Sequence, residues 1–160
     1  MLKLVNGLKK FADSVYPNKK ELFSNLAQGQ TPHTLFITCS DSRIDPNLIT
    51  QTEPGELFVL RNAGNIVPTF GSSKGGEEAA IEFAIKGLKV ENIIVCGHSK
   101  CGAMAALSQG GGLDSLPSVE SWLKYAIPTK EAVESRSKKA DLNHYIEENI
   151  LAQIRNLKTH

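Results

Sequence analysis

At 160 residues, 41% hydrophobic and 22% charged, the chain has a globular composition and enough length to bury a core, which excludes intrinsic disorder. Its formal net charge of +1 leaves no electrostatic footprint for nucleic acid, and no apolar run reaches the roughly 18 residues that span a bilayer. The N-terminal MLKLVNGLKKFADSVYP interrupts its apolar residues with charges, so no signal peptide is expected and the expected location is cytoplasmic.

Leu4, Val5, Leu8, Phe11, Ala12 and Val15 fall at helical spacing and predict an amphipathic helix that Pro17 ends. Asn18 is the expected cap of a second helix, KKELFSNLAQ, closed by Gly29. TLFITC (Thr34–Cys39) is a continuous run of β-formers and reads as a strand buried on both faces. A second strand, Glu56–Asn62, follows the turn pair Pro54–Gly55. The Gly71–Gly76 loop opens a helix expected to bury Ile81, Ala84, Ile85 and Leu88, and Asn92–His98 is a third strand. Beyond Gly110–Gly112 the chain turns polar and helical, ending in a helix with Leu142, Tyr145, Ile146, Ile150, Ile154 and Leu157 on one face. Strands alternating with helices through short links predict an α/β fold with a parallel sheet core flanked by helices. No repeat or linker divides it, so residues 1–160 are expected to form a single domain.

Two motifs stand where predicted strands end. Cys39-Ser40-Asp41-Ser42-Arg43 follows the first strand and His98-Ser99-Lys100-Cys101-Gly102 follows the third. Sites in open α/β sheets collect outside the carboxyl ends of the strands. If the two strands are neighbours, Cys39, His98 and Cys101 converge, and two thiolates with one imidazole suit zinc. Three protein ligands leave one tetrahedral position for water or substrate, the mark of a catalytic rather than a structural zinc. Singly, each cysteine would read as an inert buried thiol and His98 as a satisfied loop histidine. Their joint placement is what points to a metal.

Cys96 lies within the third strand and reads as core packing. His33, His144 and His160 show no partner pattern and read as surface residues. The lysines around Ser137 read as a solvated face. Asp41 and Arg43 could form a plain loop salt bridge. They could equally be a carboxylate that accepts a hydrogen bond from metal-bound water and an arginine fork that holds it ionised. A cysteine phosphatase would need a wider Cys–Arg spacing to cradle phosphate.

CSDSR, RNAGN and CGHSKCG, in this order, resemble the β-class carbonic anhydrases, especially the plant and cyanobacterial branch. The resemblance implies one zinc ion per chain held by Cys39, His98 and Cys101, with Asp41 and Arg43 as the accompanying dyad. It implies reversible hydration of carbon dioxide to bicarbonate and a proton, by attack of zinc-bound hydroxide. Gln30 would donate a hydrogen bond to substrate, and Phe58 would wall the carbon dioxide pocket. Phe83 stands where plant relatives often carry Tyr, and Gly102 would let backbone approach the metal site. The presence of Gln30 resembles the always-open subtype, in which Asp41 stays off the metal. Family members pair so that Gln30 and Phe58 reach the neighbour's zinc, so a homodimer or higher homo-oligomer is expected. Carbon disulfide and carbonyl sulfide hydrolases carry the same ligands, and a zinc-containing assembly protein without activity is a further alternative. The family continues beyond the last helix with another core strand, an edge strand and terminal helices, which are absent from a chain ending at His160. The third strand is therefore expected to expose an apolar edge.

Overall fold

Six successive residues of β1 (Thr34–Cys39) are buried in the computed structural model, which describes residues 1–160. That is the burial expected of a strand covered on both faces and both edges. β1 is central: β2 (Leu57–Asn62) and β3 (Asn92–Cys96) flank it, both parallel to it, in the order β2-β1-β3. The register runs from Thr34 opposite Leu57 to Cys39 opposite Asn62, and from Thr34 opposite Asn92 to Thr38 opposite Cys96. The three predicted strands and the parallel sheet are present.

β2 starts one residue later than expected, and β3 ends at Cys96 rather than His98. β3 is an edge strand, so its apolar run does not disappear into the core: Ile93 and Ile94 are 40% and 42% exposed.

Short crossovers connect the strands. Asp45 caps α4 (Pro46–Thr50) by accepting a hydrogen bond from the Leu48 N–H at 2.9 Å, with Pro46 in the first turn, where a missing N–H costs nothing. α5 (Gly76–Glu82) carries two glutamates in its first turn and runs on as a π-helical turn over Phe83–Gly87. That turn shifts the phase of the buried stripe. Ile81 and Ala84 are fully buried as expected, while Ile85 is exposed and Leu88 only half-buried. Leu35, Ile37, Val67, Ile81 and Ala84 pack as one core cluster.

α6 (Gly102–Gln109), α7 (Pro117–Leu123), α8 (Ile127–Arg136) and α9 (Leu142–Leu157) follow β3. Met104, Leu107, Leu123, Val133, Tyr145 and Ile146 form a second cluster that includes Cys39 and Cys101. α9 departs from its predicted apolar face. Ile154 is exposed, while Glu148, Asn149 and Gln153 are buried. These polar side chains have partners inside the fold. Arg136 and Arg155 each donate to Glu148 at 2.6 Å, and the Val67 N–H donates to Gln153 at 2.8 Å.

Residues Met1–Thr31 form a separate unit from Pro32–His160. Helix runs over α1 (Leu2–Lys10), a π-helical segment (Phe11–Val15) and α2 (Tyr16–Asn18), followed by α3 (Lys20–Leu26). Pro17 does not end the first helix, because it sits in the first turn of α2. The break falls at Lys19, which takes the place expected for Asn18 before α3 and makes no side-chain cap. α3 stops at Leu26, before Gly29. Phe11, Tyr16 and Phe23 pack on one another with ring centroids 5.5–6.4 Å apart. No residue of these helices is buried, and Leu4 and Leu8 of the predicted stripe are each 71% exposed. No helix of the chain is long and apolar enough to cross a membrane.

Candidate metal centre

β1 and β3 are parallel neighbours, so the chain leaves both at the same edge of the sheet. Cys39 is the last residue of β1, and His98 follows β3 by two positions. Lys100 then takes a left-handed conformation (φ 57°) that reverses the chain and leads Cys101 into α6. The sulfurs of Cys39 and Cys101 and a ring nitrogen of His98 lie within 4.8 Å of one another. Both cysteines are buried and His98 is half-buried.

The imidazole is oriented for a cation. His98 Nδ1 is 3.0 Å from the Ser99 carbonyl, which can only accept, so the tautomer that satisfies this contact has its proton on Nδ1 and leaves Nε2 free to accept. Nε2 is buried and has no hydrogen-bond partner. An orphaned acceptor among two thiols is the donor set of a zinc site, so the residues present fit that ion. The Cys101 thiol and the Gly64 N–H (3.3 Å) donate to the Cys39 sulfur and hold its thiol well below the ordinary range. Cys101 is pushed up by Cys39 and by burial.

Asp41 and Arg43 form a two-pronged pair. Arg43 Nε donates to Oδ1 at 2.8 Å and Nη2 to Oδ2 at 2.6 Å, and the Arg43 backbone N–H adds a third bond at 3.0 Å. These bonds hold the Asp41 carboxyl far below the usual carboxylate range. Asp41 Oδ2 is 3.8 Å from His98 Nε2. Arg43 Nη2 also donates to the Lys100 carbonyl at 3.0 Å, which ties the first motif to the second.

The sequence reading missed the braces behind the site. Arg61 donates to the carbonyls of Cys39 (3.1 Å), Asp41 (2.8 Å) and Ile44 (3.0 Å), so one guanidinium holds the loop that bears Cys39, Asp41 and Arg43. Asn62 closes its own loop through Ile66, accepting from its N–H and donating to its carbonyl, both at 2.8 Å. Gly64 takes φ +81°, and a Cβ there would come within 2.9 Å of Ala103 Cβ. Only glycine fits this position. The RNAGN motif contains all three residues, and that was the available signal.

The remaining predicted residues stand elsewhere. Phe58 pairs with Leu35, four positions before Cys39 on β1. At about 3.3 Å per residue the two positions are roughly 13 Å apart along the strand. Phe58 packs against the cluster of Leu35, Ile37 and Ile81, with the Phe83 ring 5.9 Å from its own. Phe58 thus lies about four strand positions from the level of Cys39, packed with Phe83 rather than beside the three donors in sequence register. A Cβ at Gly102 would meet nothing within 4 Å, so crowding does not require glycine there. Gln30 is exposed in the irregular segment after α3, in the first unit. Cys96 stays outside the cluster of Cys39, His98 and Cys101, half-buried, its thiol raised by burial.

The three remaining histidines do have partners: His33 bonds Thr34, His144 completes a capping box with Asp141, and His160 contacts the Pro68 carbonyl. A cavity of about 490 Å³ among Leu107, Leu113, Leu123 and Ile127 is lined by none of Cys39, Asp41, Arg43, His98 and Cys101.

Residues 34–160 match the sequence model of the family described as carbonic anhydrase. The chain is 50% identical to a carbonic anhydrase of Synechococcus elongatus, with all of it aligned to 61% of that protein. Among solved structures, the β-carbonic anhydrase CcaA superposes with a TM-score of 0.97 at 47% identity, over the whole of this chain and 80% of that one. A structure described as one of two tetrameric β-carbonic anhydrases from Sordaria macrospora superposes with a TM-score of 0.80 at 30% identity, over 99% of this chain and 80% of that one. The chain belongs to the carbonic anhydrase family, in its β class. It spans about three fifths of the length of the Synechococcus relative.

Proposed function

We propose that the chain holds one zinc ion through Cys39, His98 and Cys101 and catalyses the reversible hydration of carbon dioxide to bicarbonate. The observation that carries this reading is the convergence of these three donors beside a carboxylate that an arginine keeps ionised and aimed. Zinc bound there supplies the Lewis acidity that makes a hydroxide nucleophile available near neutral pH.

The chain's own groups do the rest. Asp41, acceptor-only when ionised, accepts a hydrogen bond from the attacking hydroxide and so turns its lone pair toward the substrate carbon, the proton that water gave up to form the hydroxide leaving to buffer. Arg43 fixes that carboxylate and, through the Lys100 carbonyl, its position relative to the second motif. Gln30 of a second copy of the chain donates to the bicarbonate oxygen as charge develops there. Phe58 walls the apolar pocket from a second copy, with Phe83 packed against it. The strand-length separation between Phe58 and its own Cys39 supports that assignment, as does the tetrameric description of the Sordaria relatives. A homodimer or larger assembly follows from it.

Stopped-flow carbon dioxide hydration on zinc-loaded protein tests the function. Rapid hydration that disappears in Asp41→Ala is the expected result. Zinc-loaded protein without hydration above the buffer rate would overturn the reading.

A further inference from the structure

The peptide between Ala63 and Gly64 is held from both ends. Its N–H donates to the Cys39 sulfur at 3.3 Å, and its carbonyl accepts the indole N–H of Trp122 at 2.9 Å. The two bonds belong to one amide, so they form a single line from Trp122 through the peptide to the sulfur. Hydrogen bonds in series polarise one another, and the low dielectric of a buried site strengthens both. The peptide has little freedom to turn away. Gly64 is wedged against Ala103 and Met104, the first turn of the helix that Cys101 opens. On its far side the Gly64 carbonyl accepts from Asn149 at 2.9 Å, and Asn149 is itself held by Gln153 at 2.8 Å. Tyr125 packs edge-on against Trp122, ring centroids 5.5 Å apart, which fixes the indole.

We infer that Trp122 is a positioning residue of the metal centre, tuning the donor strength of the Cys39 sulfur through the Ala63–Gly64 amide. The inference rests on the reading of Cys39 as a metal ligand. A hydrogen bond to a ligand sulfur withdraws charge from it, and such outlying partners set how strongly a ligand donates. Trp122 lies 59 positions from Ala63 along the chain.

Trp122 is the only tryptophan, so replacing tryptophan throughout the protein changes this one site. The test uses cobalt-loaded protein, whose sulfur-to-metal charge-transfer band reports the energy of the sulfur lone pairs. Two forms are compared with wild type. One is Trp122→Phe. The other carries the benzothienyl analogue, in which sulfur replaces the indole N–H and the shape is kept, so the test survives if Trp122→Phe does not fold.

Loss of the N–H raises the lone-pair energy, so the band is expected to move to longer wavelength in both forms. A residue with only a structural role would lower the melting temperature and leave the band in place. An unchanged band in cobalt-loaded analogue protein would therefore overturn the inference. Wild-type protein that takes up no cobalt would overturn the metal reading beneath it, a separate and distinguishable failure.

Discussion

Arg43 meets Asp41 with its side-chain fork edge-on, Nε to Oδ1 at 2.8 Å and Nη2 to Oδ2 at 2.6 Å. The geometry leaves the carboxylate with one orientation, and Oδ2 lies 3.8 Å from His98 Nε2. A paired carboxylate so placed can direct a reacting water, and it stands outside the cluster of the three proposed ligands.

Asp41→Ala therefore separates chemistry from metal binding. The variant should retain zinc after gel filtration while hydration falls by about 10²-fold or more, the usual contribution of a positioned acid–base group. Metal analysis and stopped-flow hydration on the same sample check both halves, and wild-type turnover would remove the dyad from the mechanism.

The three cysteines should behave unequally. Cys39→Ser and Cys101→Ser replace a soft sulfur donor with a hydroxyl and should lose zinc on dialysis against a chelator. Cys96→Ser, outside the cluster, should keep it. Zinc content by atomic absorption decides, and full retention in either ligand variant would refute the assignment.

Gly64→Ala should destabilise the fold by about 1–3 kcal/mol, the range for overpacking a well-filled site. The new methyl would press on Ala103 Cβ at 2.9 Å, in a backbone conformation that L residues rarely adopt. Gly102→Ala, whose Cβ meets open space, is the matched control and should melt near wild type. Thermal unfolding of both variants makes the comparison.

Glu148 supplies an acid-dependent part of the stability. It is 4% exposed and takes 2.6 Å bonds from Arg136 and Arg155, and these arginines lower its carboxyl against the opposing effect of burial. A carboxyl whose folded pKa is depressed stabilises the fold fully above its unfolded pKa, near 4.3. That contribution fades as pH falls through the lower, folded value. Glu148→Gln should thus melt below wild type at pH 7, by about 1–3 kcal/mol given the exposed arginine ends. The gap should close below pH 4. Melting curves from pH 7 to pH 3 would show it, and a gap constant with pH would count against the ion pairs.

The strands were legible because each is a short run of β-formers between turn residues, a local property. Cys39, His98 and Cys101 were legible because parallel strands of similar length must release their next residues at one edge, so two motifs at strand ends imply one site. Asp41 and Arg43 are near neighbours in the chain, and their pairing needed no tertiary information to propose. What lay beyond sequence reasoning depends on distant residues meeting. Arg61 reaches back to Cys39 and Ile44, Trp122 to Ala63, and Asn149 to Gly64. The buried polar face of α9 was unreadable for the same reason, since Glu148, Asn149 and Gln153 look like solvent-facing helix positions until their partners are in place. Hydrophobic period and strand propensity are written in neighbouring residues. The direction of a buried hydrogen bond is decided only when packing brings together donor and acceptor that the chain keeps far apart.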